Sequence, residues 1–181
     1  MTVIKPTFSY EHLAQMPEDG KRYELLEGEL VVTPAPSRKH QRAVGNAFAF
    51  LRRAEAAGYG EAYVAPFEVY FDRHSVTEPD AFFIRRERLG IITEAKVRGA
   101  PDLIVEVLSP GTRARDLGSK LRIYARFGVS FYWVVDPRMQ TVRPYTLREG
   151  GYVVEPLLRS GDTLTCPLFP DITIDVAALF T

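Results

Sequence analysis

Seven consecutive residues, Asp102-Leu103-Ile104-Val105-Glu106-Val107-Leu108, constrain this chain more than any others. A run so nearly apolar is expected of a central strand buried on both faces. Glu106 lies inside it, with apolar residues on either side. A carboxylate in that position must be paired, protonated or bound to a metal. The fold has to answer for it.

The rest of the chain supplies the partners of that strand. Ser9 to Met16 predicts a short helix stopped by Pro17. Tyr23–Leu26 and Glu29–Thr33 read as strands around a Glu27-Gly28 turn, ended by Pro34 and Pro36. Ser37 is an N-cap, and the helix it starts places Val44, Ala47, Phe48 and Leu51 on one face, Arg38, Arg42 and Arg53 on the other, with Gly58 as its stop. Glu61–Phe71 and Thr77–Ile84 read as strands joined by a turn at Asp72 to Ser75. After Leu108 come a polar loop from Ser109 to Arg115, a second helix from about Asp116 to Phe127 ended by Gly128, and an apolar strand from Ser130 to Val135. Val142–Leu147 and Tyr152–Leu158 form a hairpin around Glu149-Gly150-Gly151, and the tail from Thr163 holds short strands and a terminal turn. This order predicts an α/β (α+β) fold, a mixed sheet with helices against it, in one domain over 1–181.

Composition narrows the function. The 181 residues carry 23 Lys and Arg against 23 Asp and Glu. A protein that coats nucleic acid by net charge alone is excluded, though a local basic patch is not. Cys166 is the one cysteine, so there is no internal disulfide and no cysteine-rich zinc pattern. No apolar run reaches the roughly 18 residues of a membrane span, and the first residues lack the pattern of a secretory signal. A cytoplasmic protein is expected.

Two Pro-Asp pairs lead into strands, Pro79-Asp80 and Pro101-Asp102. For Asp102 the ordinary reading, turn chemistry at a strand start, weighs as much as a functional one. Asp102 and Glu106 share a strand face but lie ~13 Å apart, too far to ligate one cation together. Where the two strands pair, Asp80 lies beside Glu106 and offers a second hard oxygen ligand to a divalent cation. On the second helix, Leu117, Leu121 and Tyr124 mark the apolar face, and Lys120 falls on it. Its ordinary roles are to run along the rim of that face or to pair with Asp116. Its functional role is to reach over the sheet to Glu106 and orient a water. His40 projects toward Val44, Ala47 and Leu51, as a satisfied core histidine or as a site residue above the sheet. Arg113 and Arg115 flank the loop before the second helix, where a solvated loop outweighs a phosphate contact.

The run APDLIVEVLSPGTRARDLGSKLRIYARFGVSFYWVVDP, with RYELLEGELVVTPAPSRKHQ and EPDAFFI upstream, resembles the Uma-type restriction endonuclease family of the PD-(D/E)xK nuclease superfamily. The resemblance covers about residues 20 to 160. It implies a restriction-endonuclease-like core of helix, three strands, helix and strand, here with β-hairpins added at both ends. It implies an acid on one strand, an acid on the next and a lysine, which map to Asp80, Glu106 and Lys120. The superfamily's simplest pattern has its lysine two residues after the second acid. Leu108 stands there, so Lys120 of the following helix is the substitute. Glu29, in EGEL, and His40 match recurring family positions.

The resulting expectation is a Mg²⁺- or Mn²⁺-dependent endonuclease acting on DNA, as a homodimer. Asp80 and Glu106 hold the metal with a carbonyl near Val107, and Lys120 orients the water. The competing expectation, from a different class, is a non-catalytic nuclease-fold protein that binds a partner or nucleic acid and keeps the acids as a structural cluster. The Leu108 departure keeps it open. A third is a mobile-element accessory protein whose cleavage is sequence-specific.

Overall fold

The structure is a computed structural model and describes residues 7–181. Its first elements are the short helix α1 (Tyr10–Leu13), the strands β1 (Arg22–Leu26) and β2 (Glu29–Thr33), and the long helix α2 (Arg38–Ala56). β3 (Gly60–Val64), β4 (Glu68–Asp72), β5 (Ser75–Thr77), β6 (Ala81–Arg85) and β7 (Lys96–Arg98) follow, then β8 (Leu103–Val107). Two helices, α3 (Arg113–Asp116) and α4 (Ser119–Phe127), lead to β9 (Phe131–Asp136), β10 (Thr141–Arg148) and β11 (Gly151–Val154). The short strands β12 (Leu158–Arg159), β13 (Thr163–Leu164) and β14 (Ile174–Asp175) follow, and a 3₁₀ turn at Val176–Leu179 comes after them.

Seven strands form the central sheet, in the order β11-β10-β9-β8-β6-β3 with β12 on β10. β8 lies in its middle, antiparallel to β6 and parallel to β9. A parallel neighbour requires a crossover, and α4 supplies it. A second sheet has the order β2-β1-β5-β4-β7.

The side-chain alternation of β8 explains the layers. Leu103, Val105 and Val107 pack with Val44, Ala47, Phe50 and Leu51 of α2 and with Phe169 of the tail. Ile104 and Leu108 pack on the opposite face with Ile123 and Tyr124 of α4 and with Val69 and Val97 of the second sheet. Both faces are dry, which is why the strand reads as a continuous apolar run. Each buried side chain of this size contributes about 1.5–3 kcal/mol of transfer free energy. Glu106 belongs to the face of Ile104, so the fold directs it at α4.

Three boundaries differ from the sequence expectation. Glu61–Phe71 is two strands, because Pro66 offers no N–H to the ladder, and β3 and β4 join different sheets. Thr77–Ile84 divides likewise at Pro79 into β5 and β6. The second helix begins at Ser119; Arg113–Asp116 forms its own turn, and Leu117 points outward at 36% exposure. Gly118 accounts for that break. A Cβ there would stand 2.6 Å from the Ala114 carbonyl oxygen, so only glycine lets the two helices meet so closely. No helix among the described residues is long and apolar enough to cross a membrane.

Candidate active site

Ala81 of β6 pairs with Val105 of β8, and one step further along the ladder sets Asp80 opposite Glu106. Both are buried, at 5% and 3% exposure. Asp102 occupies the other end of β8, where its carboxylate accepts from the Arg85 backbone N–H at 3.0 Å, Arg85 Nε at 2.9 Å and Arg88 at 2.8 Å. It closes a structural ion pair, apart from Glu106.

Asp80 is held from three sides. Its Oδ2 accepts from the backbone N–H of Val107 at 2.9 Å and faces His40 Nε2 at 3.3 Å. Its Oδ1 lies 3.4 Å from the Arg22 guanidinium. Burial alone would raise the Asp80 carboxyl, but His40, the Val107 amide and Arg22 together outweigh it and hold the group below the usual carboxylate range. His40 reaches Asp80 because Ser37 caps α2, accepting from the His40 backbone N–H at 3.3 Å, which fixes the first turn. Nδ1 of the same imidazole is buried with no hydrogen-bond partner among the described residues.

Glu106 accepts from Lys120 Nζ at 2.9 Å and from the Tyr124 hydroxyl at 2.7 Å, both at Oε1. Tyr124 lies one turn beyond Lys120 on α4, so one helical face delivers both donors. Lys120 also meets Glu24 Oε1 at 3.0 Å and Asp116 Oδ1 at 3.9 Å. The pairing with Asp116 and the reach to Glu106 therefore coexist. Glu24 in turn accepts from Thr33 Oγ1 at 3.2 Å and from the Glu78 backbone N–H at 2.9 Å.

The carboxylates outnumber the cations. Burial pushes Glu106 up to about 8, against the opposing pull of Lys120, with Asp80, Asp116 and Glu24 adding to the rise. Burial likewise raises Asp116 to about 6 and Glu78 to about 7. Both carboxylate oxygens of Asp116 and Oε2 of Glu78 are buried without a hydrogen-bond partner among the described residues. Burial works against charge on Lys120, but Glu106, Glu24 and Asp116 hold its ammonium charged well above the ordinary range.

This donor set fits a hard divalent cation. It consists of oxygens, it carries more negative charge than its lysine neutralises, and Oε2 of Glu106 is free of the bonds made by Oε1. No three His, Cys, Asp or Glu side chains converge on one point among the described residues. A Mg²⁺-type ion needs only one or two carboxylates, with waters and substrate phosphate completing its shell.

Asp80, Glu106, Lys120 and His40 thus come together as the sequence suggested. Glu29 does not. It is exposed, opposite Leu26 beside the hairpin turn, in a depression shared with Ser119 and Arg122. The hairpin's contribution to the centre is Glu24, which the sequence reading passed over together with Arg22; Asp116 entered there only as a partner for Lys120, and Tyr124 only as an apolar-face residue. Arg113 is spent on Asp136 at 2.8 Å.

Comparisons with known proteins give the family and the fold. Residues 10–177 match the profile of the Uma2 family, described as "Putative restriction endonuclease", and the chain belongs to that family. Among solved structures, "a putative nuclease belonging to DUF820" from Anabaena variabilis ATCC 29413 superposes with a TM-score of 0.80 at 19% sequence identity, over 96% of this chain and 97% of that one. The likeness shows a shared fold. No curated protein matches the sequence.

Proposed function

We propose that the protein is a divalent-metal-dependent nuclease that hydrolyses phosphodiester bonds of DNA, with Asp80, Glu106 and Lys120 at its centre. One observation carries the reading: two buried carboxylates, Asp80 just before β6 and Glu106 on the neighbouring β8, stand with a buried lysine 2.9 Å from the second of them. Family membership points to the same chemistry.

Asp80, Glu106 and the Val107 carbonyl would hold Mg²⁺ or Mn²⁺, which when bound polarises the phosphate and lowers the pKa of water. The chain's own residues do the rest. Asp80 stays ionised because His40, the Val107 N–H and Arg22 stabilise its charge. Lys120 positions the attacking water and offsets the negative charge that grows on the phosphate. Tyr124 fixes the Glu106 carboxylate by donating to the same Oε1 that Lys120 holds. His40 acts through Asp80 as a positioning residue. The proposal includes a cytoplasmic homodimer presenting two such centres; light scattering at twice the monomer mass supports the dimer, and the monomer mass alone refutes it.

The test is cleavage of plasmid and single-stranded DNA with Mg²⁺ or Mn²⁺, an EDTA control, and the Asp80→Ala, Glu106→Ala and Lys120→Ala proteins alongside. Each variant is expected to lose at least about 100-fold in rate. Cleavage that survives in all three places the activity elsewhere.

A second reading, a non-catalytic member of the fold, is favoured by the engagement of Lys120 with three carboxylates at only 4% exposure. Under that reading the network is structural, and the protein neither binds a divalent cation nor cuts DNA.

A further inference from the structure

The central sheet ends in β3 on one side and in β11 on the other. An end strand offers unpaired backbone groups, and folds usually blunt it with a charge, a proline or a covering side chain. β3 is blunted, because Glu55 of α2 accepts from the outward Ala62 N–H at 2.9 Å. β11 is not. Gly150 to Val154 contains neither a charge nor a proline, and Val153 and Val154 are 47% and 55% exposed.

The ladder to β10 shows which groups of β11 are open. The Glu155 N–H donates to the Pro144 carbonyl at 3.0 Å, and bonded and unbonded pairs alternate along an antiparallel ladder. Val153 therefore bonds inward to Thr146, and Gly151 to Arg148, while Tyr152 and Val154 turn their N–H and C=O outward. Among the described residues no side chain takes these outward groups.

A second copy related by a two-fold axis presents the same groups in reverse order. Only outward residues can bond one another, so the axis falls at Tyr152, Val153 or Val154. An axis at Tyr152 sets Glu155 opposite the second copy's Glu149, like charge against like. An axis at Val154 sets Tyr152 opposite the second copy's Pro156, which has no N–H to give. An axis at Val153 pairs Tyr152 with the second copy's Val154, and Val154 with its Tyr152. It sets Glu155 opposite glycine and brings the two Val153 side chains together. That register satisfies every outward group of Tyr152 and Val154 and covers both exposed valines.

We propose that two copies of this chain join through β11, antiparallel about an axis at Val153, so that the two central sheets become one. The inference rests on the homodimer of the proposed function and names its surface. β9 and β10 lie between this edge and β8, so the interface leaves Asp80, Glu106 and Lys120 untouched.

Cysteine cross-linking tests the register. An unbonded antiparallel pair holds its Cα atoms ~4.5 Å apart, within the span of a disulfide. Val153→Cys is expected to give a covalent dimer on mild oxidation, since the native Cys166 is buried. Val154→Cys places its two copies ~8 Å apart and is expected to stay uncross-linked. Light scattering supplies the second arm. Val153→Lys sets two ammonium groups side by side and should weaken the dimer at least about ten-fold. Val153→Glu should do the same, and an equal mixture of the two variants should restore the dimer, which a folding defect would not allow. A wild-type chain that stays at monomer mass overturns both the dimer and this surface. A wild-type dimer that Val153→Lys leaves intact, or that cross-links no better through Val153→Cys than through Val154→Cys, overturns this surface and leaves the dimer standing. Neither result bears on cleavage or metal binding, which test the centre separately.

Discussion

Lys120 holds its ammonium group at 4% exposure among Glu24, Glu106 and Asp116, and no other lysine or arginine forms an ion pair with any of these three in the described residues. Removing one member of a buried pair leaves the other uncompensated, at a cost of about 3–5 kcal/mol. Lys120→Ala should therefore be destabilised by that amount in urea, measured without metal. Glu106→Gln should cost no more than about 1 kcal/mol, because glutamine keeps an acceptor for Tyr124 and removes a charge that burial disfavours. Equal losses in the two variants would contradict this electrostatic account. Asp136 gives a pH test away from the centre. Burial raises its carboxyl, but the Met139 N–H at 3.0 Å, the Arg113 guanidinium at 2.8 Å and the Arg138 N–H at 2.9 Å outweigh it and lower the group below its ordinary 3.8. A carboxyl lowered by folding contributes stability that is complete above its unfolded pKa and is lost as pH falls through the folded one. The stability gap between wild type and Asp136→Asn should be full at about pH 6 and close as the pH falls below about 4. A gap independent of pH would refute it.

At the scale of elements, the turn from α3 to α4 places Asp116 and Lys120 together, and Gly118 makes it possible. Gly118→Ala forces the Ala114 carbonyl away, at a cost of about 1–3 kcal/mol. It should also lower any cleavage rate, since α4 aims Lys120; a variant with wild-type stability would show that the close approach does not matter. The central strand was legible in the sequence because it is buried on both faces, and an acid in such a run stands out. The pairing of Asp80 with Glu106 followed from placing two strands side by side. Glu24 carries a similar signal, an acid beside Leu25 and Leu26, but a short hairpin strand also tolerates an acid on a solvent face. Nothing local says that a second sheet covers it. Glu29 was assigned by family resemblance alone, and the edge strand β2 leaves it in solvent. At Pro66 and Pro79 the chain changes sheets, and nothing local in either segment announces a second sheet.

Over the whole molecule the charge is balanced but segregated. The totals of 23 and 23 conceal an interior with more carboxylates than cations and a helix start with three exposed cations and no acid. Net charge therefore says little about what the protein binds, and local placement says more. Inside, the excess of buried carboxylate oxygens is what the proposed divalent cation would offset; outside, the basic turn lines a depression with Phe180 and Thr181, apart from the cleft at Asp80. The proposed metal centre reaches the surface at Asp80, which borders the cleft beside Arg22 and His40. The measurement that tests this most directly is a calorimetric titration of the protein with Mn²⁺, alongside Asp80→Asn, Glu106→Gln and Asp102→Asn. The account predicts saturable binding that weakens at least about ten-fold in the first two variants and is unchanged in Asp102→Asn, whose carboxylate serves Arg85 and Arg88 at the other end of the strand. No binding by the wild type, or binding that all three variants retain, would contradict it.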